Sequence, residues 1–185
     1  LLLDLEHLVA EFAALRGELV DVHEHAVALD AEQDLAHRHL DLLVHLAQAV
    51  AHEGADAARA QQAASEANGQ AVSSLSDMAK ADVVIMMLPN SKIVDSVVRG
   101  GNGQPGLLDI LSKGAMIIDM SSATPANTIE NEKLARSKGL IYMDAPVSGG
   151  PGGAETAKLA IMVGATAEDF AHAKPLLDRM GTNVI

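Results

Sequence analysis

Four short apolar runs set between helix-forming stretches restrict the fold more than any other feature of this sequence. Residues 81–89 (ADVVIMMLP) are apolar apart from Asp82 and β-branched at Val83, Val84 and Ile85. A strand covered on both faces of a parallel sheet reads in this way. Residues 115–122 (AMIIDMSS), 140–147 (LIYMDAPV) and 158–164 (KLAIMVG) repeat the pattern. Strands of one sheet are therefore expected over 81–89, 115–121, 140–147 and 158–164. A helix is expected near 91–99, capped by Asn90 or Ser91 and carrying Ile93, Val94, Val97 and Val98. Thr124-Pro125 gives an N-cap followed by a proline at the first helical position, which opens a helix over 125–138 that Gly139 stops. Thr166, with Glu168 and Asp169 in the first turn, opens a last helix over 167–180 that ends near Gly181. Strands alternating with helices of this length imply right-handed crossovers in a partial, doubly wound α/β sheet.

The first 65 residues are written differently. They contain no Ile, Lys, Met, Pro, Asn or Thr, yet hold seven of the eight histidines. Their twelve acids and three arginines give a net charge of −9, against −3 for residues 66–185. Such a drop in residue types over this length is unusual for globular sequence. A boundary is placed at 65/66, between a helical segment of atypical composition (1–65) and a partial dinucleotide-binding domain (66–185). From Leu1 to Val50 an apolar residue recurs at alternating spacings of four and three, interrupted only by Gln33. That period of 3.5 predicts mostly helix, packed through one face. A coiled-coil seam is the sharper reading. It suffers from the scarcity of cations, since only Arg16, Arg38 and Arg59 are present to pair with the acids. The missing residue types also fit a segment translated out of its native frame.

Composition removes several function classes. The absence of cysteine excludes disulfide scaffolds, Cys-ligated zinc and thiol nucleophiles. A net charge of −12 repels nucleic-acid backbones, so no nucleic-acid partner is expected. No apolar run is long enough to span a bilayer, and the start Leu1-Leu2-Leu3-Asp4 does not read as a signal peptide. No membrane partner is expected, and the compartment is left open between cytoplasm and mitochondrial matrix. The histidines do not form a metal motif. His23-Glu24-His25 and His37-Arg38-His39 space two imidazoles at i, i+2, which a helix points to different faces. His52-Glu53 meets Asp56 where a zinc motif needs its second histidine.

Ligands of a doubly wound sheet bind beyond the carboxyl ends of its strands. Three of those ends carry polar or backbone-exposing residues: Leu88-Pro89-Asn90, Ser121-Ser122 and Ser148-Gly149-Gly150. Leu-Pro closes a strand and leaves backbone to face a ligand, while two serines before a helix favour an anion or a ribose. The glycine-rich SGGPGG stretch (148–153) allows close approach to a carboxylate. Each feature taken singly also has a purely structural use, as a strand stop, a cap or a turn. Their convergence on one edge is what suggests a crevice. By contrast, residues 101–106 (GNGQPG) match the dinucleotide pattern G-x-G-x-x-G only in letters. The pattern works when a strand precedes it and a helix opens inside it. Here a helix precedes it and Pro105 sits within it, so a surface loop is expected.

The segments ADVVIMMLPNS, IIDMSSATP and MDAPVSGGPGGAETAKLAIMVG closely resemble the 3-hydroxyisobutyrate dehydrogenase family of β-hydroxyacid dehydrogenases. The resemblance covers roughly residues 66–185, and DAPVSGG is its most specific part. It implies a Rossmann-type fold, NAD or NADP as cofactor, and a small β-hydroxy acid oxidised to its semialdehyde. It also implies cofactor contacts from Leu88, Pro89 and Ser122, and substrate contacts from Ser122, Ser148, Gly149 and Gly150. Three family features find no match. Nothing in residues 1–65 resembles the glycine-rich pyrophosphate loop, and the family's catalytic lysine falls beyond the matched segments, so no catalytic residue is assigned. The family's all-helical second domain has no counterpart either. The expectation is an NAD(P)-dependent oxidoreductase of this type that is incomplete and inactive as written. The alternatives are a 2-hydroxy-3-oxopropionate reductase of the same family, or a non-catalytic protein that associates, as a homo-oligomer among other forms, through its helical start.

Overall fold

The computed structural model describes residues 70–185 in full, the backbone of 25–29 and 47–51, and residues 60, 61, 64 and 65. Six strands form the main sheet: β1 (His25–Leu29), β2 (Ala47–Ala51), β3 (Gln70–Val72), β4 (Val83–Met87), β7 (Met116–Asp119) and β8 (Ile141–Asp144), in the order β3-β2-β1-β4-β7-β8. Strands β4, β7 and β8 are parallel and in register, with Met86 beside Asp119 and Asp119 beside Asp144. Helix α1 (Ser91–Arg99) crosses from β4 to β7, and α3 (Pro125–Ser137) from β7 to β8. Between α1 and β7 lie a hairpin of β5 (Gly100–Gly101) and β6 (Gln104–Pro105) and a short α2 (Leu107–Ile110).

Alternation along the strands divides the core in two. Val84, Met86, Leu88, Ile117 and Tyr142 face Val94, Val97 and Val98 of α1 and Ala135 of α3. Ile85, Met116, Ile118 and Met143 face the opposite way, against Leu159, Ile161 and Leu177. Side chains alternate between the faces of a strand, so a run that is apolar at every position must be covered on both. The caps fall where the sequence places them. Asn90 Oδ1 accepts the Ile93 N–H at 3.2 Å, so Asn90 rather than Ser91 caps α1. Thr124 caps α3, and Thr166 caps α5 (Ala167–Met180).

The fold departs from the sequence expectations in two places. All four expected strands form, but the fourth joins a second sheet. That sheet consists of β9 (Val147–Ser148), β10 (Leu159–Ile161) and β11 (Gly181–Val184), in the order β11-β10-β9. Pro146 breaks the path of β8, its carbonyl accepts the Met162 N–H at 3.0 Å, and β10 pairs antiparallel to β9. Among the described residues, the bridge between Asp144 and Gly164 is the one backbone pairing that ties the two sheets. The helical expectation for 1–65 is the second departure. Residues 60, 61, 64 and 65 are helical, with Ala60 and Ala64 buried, but 25–29 and 47–51 are strands. A lone edge at β4 would leave a row of backbone N–H and C=O groups unpaired. The HAVAL segment fills it, AQAVA pairs in turn with HAVAL, and that tertiary demand overrides a local period. The remainder of the heptad stripe lies outside the described residues.

Candidate functional site

The carboxyl ends of β4, β7 and β8 lie side by side, and the chain leaving each carries one of the segments singled out above. Pro89 and Ser122, two and three residues past their strands, are exposed on this edge. Leu88 is different. Its side chain is in the core and its N–H is held by Ser121 Oγ at 2.8 Å, so only its carbonyl is left for a ligand. A second link joins the same two turns, since the Thr124 N–H donates to Ser91 Oγ at 2.8 Å. The amino ends of α1 and α3 are thereby held together at the crevice.

Ser148, Gly149 and Gly150 leave the end of β8 through Pro146 and are exposed. They are not a loop. Gly149 is the N-cap of a short helix, α4 (Gly150–Glu155), and the Gly153 N–H donates to its carbonyl at 3.1 Å. Gly149 has φ 138°, a conformation that favours glycine, and a Cβ there would lie a tight 3.2 Å from Leu159 Cδ2. The rejected pattern at 101–106 also has its explanation. Asn102 and Gly103 both have positive φ and form the tip of the exposed β5–β6 hairpin. Gly100 and Gly106 are glycines because a Cβ on Gly106 would meet the Gly100 nitrogen at 2.2 Å.

Beneath the exposed residues lies a polar cluster. Asp119 is fully buried in β7. Its Oδ1 accepts the Ser121 N–H at 3.0 Å, and its Oδ2 accepts the Tyr142 hydroxyl at 2.5 Å. Burial, and then the Asp119 charge, push the Tyr142 phenol far above its ordinary range, so it stays a donor. Asp144, in register with Asp119, is raised to about 6 by burial and by the Asp119 charge, against a hydrogen bond from Thr128. Asn131, fully buried on α3, accepts from Arg99 Nε at 2.7 Å and donates to Asp95 Oδ1 at 3.1 Å, which joins α3 to α1. The sequence reading missed Asp119, Tyr142 and Asp144. Their signal was an acid inside otherwise apolar strand runs, which can be buried there only with partners.

A dinucleotide in such a sheet rests its diphosphate on a glycine turn at the carboxyl end of the strand next to β4. That neighbour is β1, which runs antiparallel, with His25 opposite Met87 and Leu29 opposite Val83. Its amino end therefore lies at the crevice edge. In residues 1–65 only Gly17 and Gly54 are glycines, each isolated. The edge past β4 and β7 fits such a ligand, whereas the cradle for its diphosphate does not fit. Among the described residues no group of three or more His, Asp or Glu side chains is placed to hold a metal ion. The paired histidines at 23, 37 and 39 lie outside the described residues, and of His25 only the backbone is described.

The family described as the NAD binding domain of 6-phosphogluconate dehydrogenase matches residues 40–185. The chain belongs to this family. The match starts inside the compositionally distinct segment, consistent with Ala47–Ala51 lying in the same sheet as β4. A 2-(hydroxymethyl)glutarate dehydrogenase from Eubacterium barkeri is 42% identical over 106 residues, covering 57% of this chain and 34% of that protein. A mitochondrial 3-hydroxyisobutyrate dehydrogenase from Mus musculus is 42% identical over 121 residues, 65% of this chain and 35% of that one. The chain thus spans about a third of the length of these curated relatives. Among solved structures, Mycobacterium tuberculosis 3-hydroxyisobutyrate dehydrogenase with L-serine superposes with a TM-score of 0.60 at 35% identity. That superposition covers 68% of this chain and 43% of the other. The resemblance read from the three motifs and the Rossmann-type fold are both borne out. Among the described residues no helix is long and apolar enough to cross a membrane.

Proposed function

We propose that residues 66–185 form part of the NAD(P)-binding domain of a β-hydroxyacid dehydrogenase of the 3-hydroxyisobutyrate type. In this reading Pro89, Ser122 and the Leu88 carbonyl contact the cofactor. Ser122, Ser148, Gly149 and Gly150 take the carboxylate of a small β-hydroxy acid. The observation that carries it is the alignment of β4, β7 and β8, which brings the Leu-Pro and Ser-Ser turns to one edge and starts the Ser-Gly-Gly segment from it. The cofactor, when bound, would accept or deliver a hydride, while this chain's residues orient it and hold the acid. We further propose that the 185 residues alone do not turn over substrate. No glycine turn is written where the diphosphate would rest, and no lysine here matches the family's catalytic one.

The test is titration of the purified chain with NADH and NADPH, followed by nicotinamide fluorescence and by protection against thermal unfolding. Weak, saturable binding that Ser122→Ala weakens further is expected, with no oxidation of 3-hydroxyisobutyrate. Absence of binding to both nucleotides would overturn the cofactor reading. Turnover at an ordinary enzymatic rate, abolished by Ser148→Ala, would overturn the inactivity.

A further inference from the structure

We propose that Asp119 is the positioning residue of the crevice, setting Ser121, and through it the Leu88-Pro89 turn, against the end of β8. The backbone ladder between β4 and β7 ends where the Met120 N–H donates to the Met86 carbonyl at 2.7 Å. The next β4 donor on that side is the Leu88 N–H, inside the fold, and no backbone carbonyl takes it among the described residues. Ser121 Oγ replaces the missing carbonyl at 2.8 Å, and Ser121 itself is 2% exposed. A serine hydroxyl serves this way only if its backbone is fixed. Asp119 fixes it by accepting the Ser121 N–H two residues along, a local side-chain-to-backbone turn.

The rest of Asp119 points the other way. Its second carboxylate oxygen takes the Tyr142 hydroxyl of β8, and its backbone carbonyl accepts the Ala145 N–H at 2.7 Å. One residue therefore holds the exits of all three parallel strands. The two exposed residues proposed to meet the cofactor each follow a buried anchor directly: Pro89 follows Leu88, and Ser122 follows Ser121. Shifts at Asp119 are passed to the crevice through two buried hydrogen bonds rather than through solvent.

The binding arm of the test rests on the cofactor reading above, whereas the amide arm does not. In Asp119→Ala combined with Tyr142→Phe, so that no hydroxyl is left stranded, hydrogen exchange at the Leu88 amide is compared with that at Val84 and Ile117. The expected result is about a tenfold loss of protection confined to Leu88, with NADH binding weakened about tenfold. Asp119→Asn keeps an acceptor for the Ser121 N–H and should restore both to within about threefold. Leu177→Ala, on the opposite face of the sheet, should lower the melting temperature and move neither. Unchanged Leu88 protection in the double variant, or an equal loss in Leu177→Ala, overturns the proposal. If the double variant fails to fold, Ser121→Ala decides through the same amide, where full retention of protection overturns it. If the unmodified chain binds no NADH, the cofactor reading fails while the Leu88 amide still judges Asp119.

Discussion

Asp144→Asn removes a carboxylate whose surroundings in the folded chain disfavour its charge. Burial and the neighbouring Asp119 raise Asp144 from its ordinary 3.8 to about 6. At about 1.4 kcal/mol per pH decade, a gap of that size would be worth about 3 kcal/mol for a fully buried group. Asp144 is only partly buried, and solvent screening reduces this to about 1–2 kcal/mol. The sign follows from the raised value. The folded chain binds this proton more tightly than the unfolded one, so its contribution is fully present below about pH 4 and is lost as pH rises through about 6. Asparagine keeps an oxygen for Thr128 and carries no charge, so the variant escapes the loss. It should exceed the unmodified chain by about 1–2 kcal/mol at pH 7, or about 3–6 °C in melting temperature, and match it near pH 4. Urea unfolding of both chains at half-unit steps from pH 4 to pH 8 reads the difference, and titrations common to both cancel in it. A difference that stays flat over that range, or that favours the unmodified chain increasingly as pH rises, would refute the reasoning.

Gly106→Ala should cost about 2–4 kcal/mol in chemical denaturation, since its Cβ would sit 2.2 Å from the Gly100 nitrogen and only backbone movement relieves that. Leu177→Ala, fully buried between α5 and the sheet, should cost about 2–5 kcal/mol by the same measurement. Arg136→Ala should cost about 1 kcal/mol at pH 7 by removing the guanidinium that lies 2.6 Å from Asp169. Burial pushes Asp169 up, but hydrogen bonds from Thr166 and Arg136 outweigh it and leave the carboxyl below its ordinary value. The Arg136 loss should therefore shrink as pH falls and Asp169 takes up its proton.

What was legible in the sequence is what local chemistry decides. The runs at 83–87, 116–119 and 141–144 were readable because a strand buried on both faces has no polar side to hide. Thr124 and Thr166 were readable because a capping side chain satisfies N–H groups two or three residues away. Partner choice was not legible. The KLAIMVG segment reads as strand in either sheet, and its pairing with β9 and β11, beyond Pro146, places it in the second one. The HAVAL and AQAVA segments lie on a stripe of helical period. The demand on HAVAL comes from the edge of β4, more than fifty residues further along, and the demand on AQAVA comes from the free edge of HAVAL. The site was legible in its exposed half, Pro89 and Ser122, but not in its buried half. Asp119 and Tyr142 are 23 residues apart, and no local pattern joins them.

The two glycine-rich stretches show why a letter pattern and a site are different things. Residues 101–106 have the spacing of a dinucleotide fingerprint, yet they follow the carboxyl end of α1. Helix α1 has by then returned the chain from the crevice edge to the opposite edge of the sheet. There the glycines solve a steric problem, a hairpin folded so tightly on itself that Gly100 and Gly106 leave no room for a Cβ. Residues 148–153 lack the fingerprint, yet they leave from the end of β8, beside the exits of β4 and β7. Glycine there is favoured by φ at Gly149, and the chain turns into α4 although its first four residues, Gly150 to Gly153, have poor helix propensity. A glycine specifies what the backbone is allowed to do. Which edge of the sheet it lies on decides whether a ligand can use that allowance, and only the second stretch lies on the edge where ligands of this fold bind.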